Sequence, residues 1–125
     1  MVKPLRVLMA SWEEVAEPIF RAVIEEGGHQ LTIMSPWRRE VEFLEEAKTG
    51  QYDVILLTNL GLPLDCSLGL IAPLHQSCSA KVIVMSGAAG QEDREMASKA
   101  GACAFHQMPM PVDKLLEAVE AAARE

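Results

Sequence analysis

No apolar run in this chain approaches the ~20 residues that a membrane-spanning helix requires. The opening MVKPLRVLMA is too short and too soon interrupted to act as a secretory signal. Basic charge is also in short supply. Eleven Lys and Arg stand against eighteen Asp and Glu, for a net charge of −7. Nucleic acid binding needs clustered cations on one surface, so this balance argues against it. Acidity at this level means solubility and a preference for basic partner surfaces. The cysteines are three, Cys66, Cys78 and Cys103, with no C-x-x-C pair among them. That spacing implies neither a disulfide nor a zinc site, and suits free thiols in a reducing cytoplasm. Repeats, linkers and low-complexity tracts are missing too. What is present is 125 residues of which 50% are apolar, enough for one domain, spanning 1–125, with its own core.

Strand and helix patterns alternate along the whole length. Leu5–Ala10 reads as a first buried strand. Ser11 and Glu14 have the spacing of a capping box for a helix that runs to about Glu26, with Phe20, Val23 and Ile24 facing the core. Pro18 fits its first turn, and Gly27-Gly28 stops it. Leu31–Met34 is a second strand, and Ser35-Pro36 reads as N-cap and first position of a helix with Val41, Leu44 and Ala47 inward. A third helix is expected over roughly Ser67–Gln76, a strand over Lys81–Met85, and a polar helix over Gln91–Ala100. Ala102–His106 is a short last strand. It leads into a helix on which Val112, Leu115, Leu116 and Val119 recur at helical spacing. The closing AAARE is compatible with a natural end and with a linker to a further domain.

The stretch that organises this pattern is YDVILLTNLGLP, Tyr52 to Pro63. Val54–Leu57 is uninterrupted apolar sequence, as in a strand buried on both faces at the centre of a parallel sheet. It delivers polar Thr58 and Asn59 to the carboxyl end of that sheet, where ligands bind in open α/β folds. Five such strands with short connections predict a parallel sheet with helices on both faces.

Four segments sharpen that prediction: RVLMASWEE, TNLGLP, VIVMSG and AFHQMPMP. In order and spacing they resemble, over nearly the whole chain, the two-component response-regulator receiver family. They stand at its first strand and acidic turn, its phosphoacceptor turn, its fourth strand ending in Ser or Thr, and its aromatic-x-x-Lys-Pro segment. The resemblance implies a flavodoxin-like (βα)5 three-layer sandwich with strand order 2-1-3-4-5. It also implies a site in which paired acids hold Mg²⁺, an Asp takes the phosphoryl group, and a hydroxyl and a Lys bond its oxygens.

Most of those groups are absent here. The acid pair falls at Ser11 and Trp12, and the Lys position at Met108. The phosphoacceptor falls at Asn59 if counted back from Pro63, or at Thr58 if counted from Asp53; Asn59 is preferred. Ser86 alone is kept. Glu13 and Glu14 are the only carboxylates near the first turn, and Asp65 lies beyond the acceptor loop. The site reads as a neutral plug, with Trp12 and Met108 filling space and no buried charge left without a partner. Each residue also has a plain structural role. Asn59 can bond loop backbone, Ser86 can cap a turn, His106 can be semi-exposed polar surface, and Met108 and Met110 can fill gaps. Phe105 stands at the family's switch aromatic. The face built by the fourth helix, fifth strand and fifth helix presents Phe105, His106 and Met110 among Arg94, Lys99, Lys114 and Glu117.

Together these readings describe a degenerate receiver: a non-enzymatic cytoplasmic signalling domain that works by protein contact, without Mg²⁺-dependent aspartyl phosphorylation. It needs no cofactor or metal and meets no membrane. A histidine kinase or an effector domain is the expected kind of partner, and the fourth helix–fifth strand–fifth helix face is a candidate for homodimerisation. The alternative is small-molecule binding at the strand ends. Against it, SWEEV has neither the glycines and hydroxyls of a flavin phosphate loop nor the His of a cobalamin site. No nucleophile–base pair of a hydrolase can be read.

Overall fold

A computed structural model describes residues 4–11, 17–35, 39–59, 65–86, 91–107 and 111–124. Strands and helices alternate: β1 (Arg6–Ala10), α1 (Glu17–Glu26), β2 (Gln30–Met34), α2 (Glu40–Thr49), β3 (Val54–Asn59), α3 (Asp65–Ser77), β4 (Lys81–Ser86), α4 (Gln91–Ala100), β5 (Ala104–Gln107) and α5 (Val112–Ala123). The strands form one parallel sheet in the order β2-β1-β3-β4-β5. This is the flavodoxin-like order implied by the resemblance.

Why helices cover both faces follows from handedness. Each crossover is right-handed, so the direction in which the chain steps along the sheet decides which face its helix covers. The step from β1 to β2 runs one way, and the later steps run the other. Accordingly, α1 packs on the face of Val7, Met9, Val54, Leu56, Ile83 and Met85, through Phe20 and Ile24. The same face takes Leu115, Val119 and Ala122 of α5. The opposite face, with Leu8, Ile55, Leu57, Val82 and Val84, takes Phe43 and Ala47 of α2, Leu70, Ile71 and Leu74 of α3, and Ala97 of α4. Strand residues alternate between the two cores, and Val54–Leu57 are wholly buried, as a central strand requires. Each fully buried Leu or Ile contributes roughly 1.5–3 kcal/mol.

At the amino end of the sheet, Asp53 brackets β3 between its neighbours. The Arg6 N–H donates to Asp53 Oδ2 (2.9 Å), the Asp53 N–H to the Arg6 carbonyl (2.8 Å), and the Lys81 N–H to the Asp53 carbonyl (3.0 Å). Buried His29 ties the same end to α5. Its Nδ1 accepts the Leu5 N–H (3.0 Å), so the ring proton sits on Nε2 and is donated to Glu120 Oε2 (2.8 Å). Gly28, at φ 88°, makes the left-handed turn after α1 that an L side chain would oppose.

Several boundaries and one orientation differ from the sequence pattern. Val41 is 73% exposed rather than inward; Phe43 is buried in its place, because the larger ring fills the space over β1 and β3. Leu116 is only half-buried. The described start of α2 is Arg39 as N-cap, without a side-chain cap bond, so Ser35 lies too far upstream to cap it. α3 begins two residues earlier, at Asp65, and ends at Ser77. β5 is shifted to Ala104–Gln107, since pairing with β4 starts at Ile83↔Ala104. The capping box of Ser11 and Glu14 involves residues outside the described ones, as does Pro36. Among the described residues, Cys78 and Cys103 form no disulfide. Among the described residues, no helix is long and apolar enough to cross a membrane.

Candidate functional site

The direction of chain stepping reverses between β1 and β3, and in open α/β sheets the crevice beside such a reversal is where ligands sit. The residues at that carboxyl edge come from four strands. Ser11 follows β1 directly and is 3% exposed, and its N–H donates to the Met34 carbonyl (2.9 Å), extending the β1–β2 ladder. Thr58 is buried, and its hydroxyl donates to the Ala10 carbonyl across the β1–β3 gap (2.8 Å). Asn59 closes β3 and pairs in register with Ser86, which closes β4 and is 1% exposed. Ser86 in turn pairs with Gln107 at the end of β5. Trp12, Met108 and Met110 lie outside the described residues, as do Glu13 and Glu14.

Register therefore brings Asn59, Ser86 and Gln107 into one row and leaves Thr58 in the row below, beside Met85 and His106. The separation has a chemical consequence. The Thr58 hydroxyl is spent on a main-chain acceptor in the core, so Thr58 is a strand-to-strand tie. Asn59 occupies the position next to the retained hydroxyl. Gln107 was not singled out from the sequence, although counting residues across paired strands from Ser86 reaches it once the β5 register is known.

The described side chains at this edge, Ser11, Thr58, Ser86 and Gln107, offer hydroxyls and one amide, all neutral. A Mg²⁺ ion takes hard, preferably anionic oxygen ligands in a near-octahedral shell. Ser11, Thr58, Ser86 and Gln107 supply no carboxylate, and the Thr58 hydroxyl is already committed to a main-chain acceptor. By themselves these described groups offer none of the anionic oxygens that the ion prefers. Among the described residues, no group of three or more His, Cys, Asp or Glu is placed to hold a metal.

The second region named from the sequence lies along β5, an edge strand. Phe105 is half-buried and packs against the α2–α3–α4 core, with the Arg94 guanidinium over its ring at 5.3 Å from the centroid. This cation–π contact was not legible in the sequence, since it requires α4 to lie across β5. Arg94, Ser98, Ala102, Cys103, Ala104 and Phe105 line a cavity of about 190 Å³ between the two elements. His106 follows Phe105 and lines a different groove, shared with α5. Partial burial lowers the His106 pKa below its ordinary value, and the charge of Arg94 lowers it further.

No protein-family model matches the sequence, and no curated protein matches it as a relative. The fold is similar to a CheY-like response regulator receiver domain from Methanospirillum hungatei JF-1 (TM-score 0.84, 20% identity, covering 98% of this chain and 95% of that one). It is similar to the receiver domain of the Francisella response regulator 1452 (TM-score 0.81, 23% identity, 96% and 97% covered). A third likeness is to the beryllofluoride-activated NtrC4 receiver domain dimer (TM-score 0.81, 24% identity, 95% and 96% covered). The fold of this chain is that of a receiver domain.

Proposed function

We propose that this chain is a degenerate receiver, a signalling module of two-component type that works through protein contacts without Mg²⁺-dependent aspartyl phosphorylation. The observation that carries the reading is the neutral row at the carboxyl edge. Asn59 stands beside the buried hydroxyl of Ser86 where the resemblance places a phosphorylatable Asp, and Ser11 stands where it places a metal-binding acid. The committed hydroxyl of Thr58 supports Asn59 over Thr58 as the acceptor position. Removing the acids leaves the phosphoryl chemistry without a nucleophile or a metal cage. It also removes the mutual repulsion that clustered carboxylates would impose on the unliganded fold. The domain is non-enzymatic on this reading, and its place is the cytoplasm.

Contact with a histidine kinase or an effector domain replaces phosphorylation as the route of signalling. The α4–β5–α5 face is the candidate surface, where Phe105 and His106 are half-buried along β5 and Arg94 of α4 lies over the Phe105 ring. Dimerisation through that face belongs to the same proposal; the NtrC4 neighbour is itself a dimer. The test is incubation with Mg²⁺ and beryllofluoride or a small phosphodonor, read by mass spectrometry and amide NMR. An unchanged mass and undisturbed signals for Asn59 and Ser86 are expected. A phospho-adduct, or wide shifts around those residues, refutes the reading.

A further inference from the structure

An open groove of about 390 Å³ runs between the end of β5 and α5. Its floor is apolar, from Pro111, Ala118 and Ala121. Its rim carries His106, Lys114 and Arg124 with a single carboxylate, Glu117. That carboxylate already faces Lys114 Nζ at 3.4 Å, in an exposed pair of the kind worth little to stability. Lys114 and Arg124 are both exposed, so their charges are available to a partner. Arg94 adds to the positive field at the β5 end, where it acts on His106. Within the lining itself two permanent cations, Lys114 and Arg124, stand against one carboxylate, Glu117, so its sign is opposite to that of a chain with net charge −7.

From this charge complementarity over an apolar floor we infer that the β5–α5 groove docks an acidic segment of a partner protein, with an aliphatic side chain seated on Pro111, Ala118 and Ala121. The inference rests on the reading of the α4–β5–α5 face as the contact surface, and it names the chemistry of the partner. It reverses the expectation drawn from net charge alone, which favours basic partners. The rim charges steer the segment and set its orientation, whereas the apolar floor supplies the burial that retains it. Among the described residues β5 has one strand neighbour, β4, so main-chain contact of an extended segment along its outer side belongs to the same docking.

The experiment is a titration of the ¹⁵N-labelled protein with a synthetic peptide in which a central leucine is flanked by glutamates. Its lysine-flanked counterpart is run in parallel, each at low and high salt, with neither Mg²⁺ nor a phosphodonor present. Shifts at His106, Lys114, Ala118, Ala121 and Arg124 with the acidic peptide only are expected. Affinity should fall at least about tenfold in the double variant Lys114→Glu/Arg124→Glu, and should fall with added salt. Both substituted side chains are exposed, and an unchanged circular dichroism spectrum confirms that the variant is folded. Replacing the leucine by glycine should weaken binding as well. Equal response to the lysine peptide, shifts mapping to another surface, or no response at millimolar peptide overturns the inference. So does concentration-dependent self-association that saturates the groove, seen by sedimentation, which would assign it to the acidic α2 of a second copy, where Val41 is exposed beside Glu40 and Glu42. A phospho-adduct at the β3 end would refute the degenerate-receiver reading and leave these outcomes unaffected.

Discussion

A single hydroxyl separates the two ways of counting the β3 turn. Thr58 donates it to the Ala10 carbonyl in the core, which takes Thr58 out of the candidate site and makes it part of the sheet. Thr58→Val keeps the side-chain shape and removes the donor, so it should cost about 1 kcal/mol in urea unfolding; an unaltered midpoint would mean that the bond carries no stability. His106 is a titrating group at the other edge of the sheet. Its folded pKa lies below the ordinary value of 6.5, because burial and then Arg94 disfavour the imidazolium. In the window between the folded and unfolded pKa values the unfolded chain binds more protons. The contribution of His106 is therefore complete above the unfolded pKa and is lost as pH falls through that value towards the folded one. Wild type should thus lose more stability between neutral pH and pH about 5 than His106→Gln does. NMR titration of the imidazole should place its midpoint below 6.5.

The five helices differ in how they are anchored, and two of them make this measurable. In α3, Pro73 lacks the N–H that would bond the Gly69 carbonyl, and Gly69 itself is exposed with open space where a Cβ would sit. Gly69→Ala adds no clash and reduces the freedom of the unfolded chain. It should stabilise the protein by about 0.5–1 kcal/mol, read as a higher urea midpoint. Meanwhile α4 has one buried side chain, Ala97, against three on the described part of α5 and three on the described part of α3. With so little apolar surface holding it, α4 should show faster amide hydrogen exchange than α3 or α5. Protection of α4 equal to theirs would show that Arg94 over Phe105 anchors the helix more firmly than its burial does.

At the scale of the molecule, the candidate site is the joint product of all the strand ends, so on the proposed reading a single substitution should not rebuild it. Asn59→Asp returns one carboxylate to a row whose other members are Ser86 and Gln107. The positions that the resemblance assigns to the metal-binding acids and the Lys are still Ser11, Trp12 and Met108. The variant should form no adduct with beryllofluoride and Mg²⁺ by mass spectrometry. A metal-dependent adduct would mean that Glu13 or Glu14 supplies the cage. The groove on β5 and α5 also belongs to this scale, because its local charge runs against the net charge of the whole.

Strand and helix identities were readable from local patterns alone, since the two periods, 2 and 3.6, and the glycines that end helices are properties of short segments. The residue types that the resemblance sets at the acid, acceptor and Lys positions, Ser11, Asn59 and Met108, were readable as well, because they need no coordinates. Facing was readable where several apolar residues agreed, as at Phe20 and Ile24, and misled at Val41, where Phe43 competed for the same space and its larger ring was buried. Relations between distant segments were beyond reach of local pattern. Whether Thr58 or Asn59 lies beside Ser86, that Gln107 shares their row, that Arg94 covers Phe105 and that His29 clasps Leu5 to Glu120 all depend on register and on how helices lie across the sheet. A one-residue slip in a strand exchanges its two faces, and only the packed neighbours forbid the slip. Chain pattern therefore specified which residue types reach the strand ends, and packing specified which of them meet.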